Sequence, residues 1–212
     1  MIYNKDITKS FVRITTFQLS GYLVLILSFL LFSCSSITED CHTGSHIKEQ
    51  AMFPQYDSIQ YFSTEITFEK LFFDPIFQEE NSEKDSIMYS FAVGRRPINI
   101  NEDFVSSLDS IGFNRTTISK TDYSGINEIF RTRPTDECLM AQACKPVYRD
   151  ILVFYLNDKI IGVAKLCFTC DQFIFKGAQG ETDFFGYFGE FPKLIKILNP
   201  YLNIKIEERF SS

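Results

Sequence analysis

Residues 144 to 170, CKPVYRDILVFYLNDKIIGVAKLCFTC, hold two apolar runs on either side of Asn157-Asp158, with Cys144 at one end and Cys167 and Cys170 at the other. No other stretch constrains the fold as much. Asn and Asp both tolerate the positive φ of a two-residue type I′ turn, so the two runs are expected to pair as a β-hairpin. That turn sets opposed residues at numbers summing to 157 + 158, or 315: Leu156 with Lys159, Phe154 with Ile161, Leu152 with Val163 and Asp150 with Lys165. Opposite charges facing each other across two strands contribute about 0.2–1 kcal/mol. A one-residue slip would set Asp150 against Leu166, so the charges favour the unslipped register. Extended to the open end, the same register places Tyr148 against Cys167, Lys145 against Cys170 and Cys144 against Asp171.

Cys138, Cys144, Cys167 and Cys170 are thereby gathered at the open end of one hairpin, and three chemistries compete for them. Disulfide bonding suits an exported chain. The pairing of Cys144 with Cys170 is preferred because it joins backbones near the separation a bridge needs. A four-cysteine zinc site is the second reading, since Cys138-x5-Cys144 and Cys167-x2-Cys170 supply four thiolates. CFTC, however, lacks the Gly and Pro of a metal knuckle. The third is a redox dithiol in Cys167-x2-Cys170, against which stands its place at a strand end rather than a helix N-terminus. The expected cofactor is none, with zinc as the alternative. Cys41 stands with His42 and His46 in CHTGSH, read as solvated linker, and these are the only histidines. A His-dependent triad, a His-rich zinc hydrolase site and an axial haem histidine therefore have no material inside the domain.

The N-terminus carries a different signal. Lys5, Lys9 and Arg13 lead into an apolar run from Leu19 to Phe32 that stops at Ser33-Cys34, the order of a secretory signal peptide. The run is shorter than the roughly 20 apolar residues of a membrane-spanning helix. Leu31-Phe32-Ser33-Cys34 resembles the lipobox of bacterial lipoproteins, and Glu39-Asp40 a few residues on is similar to the export signals of Bacteroidota surface lipoproteins. The resemblance implies cleavage after residue 33, lipidation of Cys34 and attachment to the outer membrane, on its periplasmic or outer face. It extends to about residue 40 and implies no activity. Residues 1–33 are thus expected to be signal peptide, 34–55 a flexible tether and 56–212 one globular domain.

Cleavage would leave 18 basic and 26 acidic residues, a net charge of −8 from 21 − 3 and 27 − 1. That balance argues against nucleic acid, whose binding rests on clustered Lys and Arg. The 23 Phe and ten Tyr supply ample core.

Elsewhere, residues 58–73 fit helix and strand alike, SIMYSFAV (86–93) reads as a strand after a turn at NSEKD, and Asn101 caps a helix ended by Gly112. A short helix is expected from Thr121, another from about 190 to 199, and a half-buried strand at Leu202, Ile204 and Ile206. Mixed elements without βαβ alternation indicate an α+β fold, a mainly antiparallel sheet with a central β-hairpin and a few packed helices.

Phe184, Phe185, Tyr187 and Phe188 form a candidate ligand or partner patch, with packing over the sheet as the competing account. Asp183 with Glu190 could serve as a carboxylate pair, and Arg95-Arg96 with Arg131-x-Arg133 could bind an anion, against solvated loop charges as the simpler account. The functional expectation is a lipid-anchored envelope protein whose domain is a non-catalytic binding or structural module, with an unknown protein or small molecule as partner. The alternative is an exported hydrolase, a thiol redox protein or a zinc domain.

Overall fold

The structure is a computed structural model that describes residues 43–74, 82–95, 99–138, 144–202 and 205–206. The segment expected to be a signal peptide, Cys34, Cys41 and His42 lie outside the described residues. Among those described, no helix is long and apolar enough to cross a membrane. The domain is α+β, as expected.

Its centre is a five-stranded antiparallel sheet in the order β3-β2-β5-β6-β7, built from β2 (Ser58–Ser63), β3 (Asn114–Thr117), β5 (Asp150–Leu156), β6 (Lys159–Cys167) and β7 (Gln172–Lys176). A separate small ribbon pairs β1 (Gln50–Ala51) with β4 (Arg131–Thr132). One face of the sheet is covered by α1 (Phe68–Phe73), α2 (Glu83–Ala92) and α3 (Glu102–Ile111), whose Leu71, Phe91, Phe104 and Leu108 meet Ile151, Val153 and Val163. The other is covered by α4 (Tyr123–Ile129) and α5 (Glu190–Leu198), with Ile126, Phe191 and Leu194 against Leu152, Phe154 and Leu166. The hairpin strands are unbroken apolar runs because β5 is central and buried on both faces.

Asn101 caps α3 through its side chain to the Phe104 N–H, and Gly112 ends that helix at φ 93°. The ambiguous stretch 58–73 resolves into β2 and then α1. SIMYSFAV, in contrast, is helical. Ser82 accepts from the Asp85 N–H, Glu83 and Asp85 occupy the first turn, and Met88, Phe91 and Ala92 recur at helical spacing on the buried side. The strand reading overlooked this cap. Lys205 and Ile206 are not in a strand either, and Ile204 lies outside the described residues.

The expected boundary at residue 56 is corrected. Met52 and Phe53 are buried core residues and β1 pairs with β4, so the domain begins before residue 56. The compact unit spans His42–Ser212.

Candidate functional site

Asn157 and Asp158 adopt φ 50° and 60°, and Leu156 opposes Lys159 as the turn dictates. Beyond Tyr155 the register shifts by one: Phe154 faces Gly162, Val153 faces Val163, and Asp150 faces Leu166. The expected opposition of Asp150 and Lys165 is therefore corrected. Ile161 is the extra residue of a β-bulge. The cause is tertiary. Phe53 stacks on Phe154 at 4.1 Å and lies over Gly162, where a Cβ would come within 2.5 Å of its ring. The bulge brings a residue without a side chain opposite Phe154, which makes room for that ring.

Because successive strand residues point to opposite faces, the shift also separates the two charges. Asp150, 2% exposed, shares the face of Leu152 and Phe154 and accepts a hydrogen bond from the Tyr61 hydroxyl. Lys165, 0% exposed, lies on the face of Val163, where its Nζ donates to the Phe91 carbonyl at the C-terminal end of α2. That ammonium also sits 5.1 Å from the Tyr148 ring centroid and 5.7 Å from that of Phe91. Burial lowers the Lys165 pKa to about 7. The same desolvation raises Tyr148 to about 12.

At the open end of the hairpin, Cys144 and Cys170 form a disulfide across a Cα–Cα distance of 5.9 Å, the preferred pairing. Cys138 is disulfide-bonded as well, and with Cys144 and Cys170 joined to each other its partner is neither of them. Cys167 is a free thiol, 2% exposed, packed with Tyr148, Cys170 and Ile174. Joined to each other, Cys144 and Cys170 do not offer the thiolates that the four-cysteine zinc reading needs. Cys167 and Cys170 are likewise not paired with each other here, because Cys170 is joined to Cys144. Among the described residues no group of three or more His, Cys, Asp or Glu is placed to hold a metal.

The cystine closes a sequence separation of 26 residues, so mutating both partners to Ser is expected to cost roughly 3–4 kcal/mol on the chain-entropy account. Denaturant unfolding of wild type and double mutant measures that loss. In peptide maps of the unreduced protein, 144 and 170 should appear linked, and Cys167 should take up iodoacetamide only after unfolding. Labelling of Cys167 in the native state would contradict its burial.

The loop before α5 is organised by one carboxylate. Glu190, 1% exposed, accepts from the backbone N–H of Gly186 at 3.1 Å and of Phe188 at 2.8 Å, and from Arg133 Nη1 at 3.0 Å. Arg133 in turn donates to the Glu128 carbonyl at 2.7 Å and its carboxylate at 2.6 Å, and lies 5.6 Å from the Phe188 ring centroid. Glu190 is thus a structural anchor rather than half of a catalytic pair with exposed Asp183. Arg133 is an ion-pair partner and Arg131 bonds Glu49 at 3.0 Å, while Arg96 lies outside the described residues. No sequence cue marked this knot, since Arg133 and Glu190 are distant in the chain.

The candidate aromatic patch divides. Phe184 and Phe185 are buried, Phe185 stacking on Phe130 at 5.3 Å, so they belong to the core. Tyr187 and Phe188 are half-buried at the surface. Apart from these, a polar depression of about 550 Å³ opens between α1, the start of α2 and the end of α3, lined by Glu65, Lys70, Lys84, Asp85, Met88 and Ile111 among others. Asp171, whose pKa is raised by desolvation, belongs to the β6–β7 turn and does not line it.

No family model, curated protein or solved structure matches the chain.

Proposed function

We propose that this chain is a lipid-anchored protein of the cell envelope, held in the outer membrane through Cys34, whose domain serves as a binding or structural module. The observation that carries the reading is Leu31-Phe32-Ser33-Cys34 directly after a basic and then apolar leader. The Cys144–Cys170 disulfide supports it, because such bonds persist in oxidising compartments outside the cytosol. In this role the chemistry is steric: a sheet covered on both faces by helices and closed at its hairpin by a cystine gives a rigid body that presents loops.

The partner is a protein or a small molecule, and the depression beside α2 is where a small polar ligand would fit. Its mixture of Lys70 and Lys84 with Glu65 and Asp85 suits a zwitterionic or hydroxylated compound better than a strongly charged one.

The test is Cys34→Ala in a bacterial host that processes lipoproteins. The variant is expected to accumulate as a precursor heavier than the mature protein, lacking incorporated palmitate and absent from the outer-membrane fraction. Normal cleavage and fractionation of Cys34→Ala would end this reading.

A further inference from the structure

The geometry points to the surface formed by Tyr187 and Phe188, with Lys193 at its rim, as the face that rests on the bilayer. The inference builds on the lipid anchor at Cys34. Its basis is where the fold begins. Thr43 already pairs with Cys138 in an antiparallel bridge, Gly44 is buried, and its Cα is so close to Phe184 that a Cβ would meet the ring at 2.8 Å. The chain is therefore fixed to the domain nine residues after Cys34, from 43 − 34. Nine extended residues span at most about 32 Å. A folded unit of about 170 residues is roughly 40 Å across. A tether shorter than the body it holds favours contact on the side where it enters.

The chemistry of that side matches an interface. Tyr187 donates its hydroxyl to the Cys138 carbonyl at 3.2 Å, next to the bridge with Thr43, and packs against Phe184 with centroids 5.8 Å apart. Phe188 follows directly, and the exposed Lys193 donates Nζ to the Phe188 carbonyl at 3.0 Å. Half-buried Tyr and Phe beside a long cationic side chain is the combination that settles at headgroup level, with rings among the upper methylenes and the ammonium in water. Asp136 and Glu137, next to Cys138 in the chain, and Asp183, four residues before Tyr187, are exposed. With those carboxylates present, the attraction is of the rings for a zwitterionic surface rather than of net charge for an anionic one. The competing surface is α1, where Phe73 is 69% exposed and Phe68 is 36% exposed, on the opposite face of the sheet.

The chain contains no Trp, so a single substitution gives a single indole reporter. The full lipidated protein would be prepared as Phe188→Trp, Tyr187→Trp and Phe73→Trp and reconstituted in phosphatidylcholine vesicles with and without bromine-labelled acyl chains. With the rings seated about 5–10 Å into the headgroup boundary, bromine should quench the emission of the Phe188→Trp protein at least about twofold more than that of the Phe73→Trp protein. The Tyr187→Trp protein serves as the second reporter of the same face. Vesicle flotation without that difference, or with the indole on α1 quenched more, overturns the inference and leaves the anchor intact. Failure of the mature protein to float with vesicles overturns both.

Discussion

Raising the pH from 6 to 10 is expected to stabilise this protein, and Lys165→Met is expected to remove that gain. The Lys165 ammonium is fully buried against the Phe91 carbonyl and two aromatic rings, and its pKa falls from 10.5 to about 7 on folding. A lowered folded-state pKa means that between pH 7 and 10.5 the unfolded chain holds a proton the native state has released. The Lys165 contribution to stability therefore rises with pH through that window, is complete above 10.5 and is lost as pH falls back to 7. The full span corresponds to roughly 5 kcal/mol at 1.4 kcal/mol per pH unit. Above pH 10 the direction reverses, because burial raises Tyr56 and Tyr148 to about 12 and the folded state resists their ionisation.

Met keeps the length of the lysine stem without its charge, so Lys165→Met should be about 1–4 kcal/mol more stable than wild type at pH 6. The Phe91 carbonyl is not orphaned, since the Gly94 N–H donates to it at 3.1 Å. Urea midpoints at half-unit pH steps for both proteins make the measurement. A wild-type profile flat from pH 6 to 10 would sink the account, and so would a Lys165→Met variant that keeps the rise.

Glu190→Ala is expected to cost about 3–5 kcal/mol, because it removes the better-buried partner of a guanidinium only 15% exposed and leaves two backbone donors without their acceptor. Arg133 retains Glu128, 66% exposed at its side chain, which screens that pair and makes it the weaker partner. Gly186 and Phe188 lose the acceptor that holds the loop closed over Phe185 and Phe191, so the aromatic surface at Tyr187 and Phe188 should loosen together with the fold. Combining Glu190→Ala with Arg133→Met should cost less than the two single losses added, by an interaction energy of about 0.5–3 kcal/mol. A strictly additive double-mutant cycle would mean that the 3.0 Å contact between them carries no energy.

Several of these features were readable in the chain because their causes are local. Asn157-Asp158 fixes a two-residue turn through the φ angles those residues tolerate, and Asn101 with Gly112 bounds α3 through one side-chain acceptor and one left-handed stop. Cys144 and Cys170 are legible as partners because the turn alone brings their strands together, and a bulge of one residue moves neither out of reach. The cap that makes α2 a helix was equally local, in Ser82 and Asp85, and alternation in SIMYSFAV outweighed it.

The candidate site was less legible. Whether a cysteine is thiol, thiolate or half of a cystine depends on which sulfur lies beside it, and Cys167 stays free because Cys170 is taken by Cys144. Glu190 reads as half of a possible carboxylate pair with Asp183 until Arg133, 57 residues earlier, folds onto it.

The strands of the hairpin, the sulfurs at its open end and the caps of α3 all follow from the order of residues in the chain. Each rests on backbone angles or spacing within a few residues. The bulge at Ile161 does not, and with it goes the face on which every residue from Asp150 to Phe154 points. It exists because Phe53, about a hundred residues upstream, stacks on Phe154 over the bare Cα of Gly162. Side chains alternate with a period of two, so that one ring sends Asp150 to Tyr61 on one side of the sheet and Lys165 to α2 on the other.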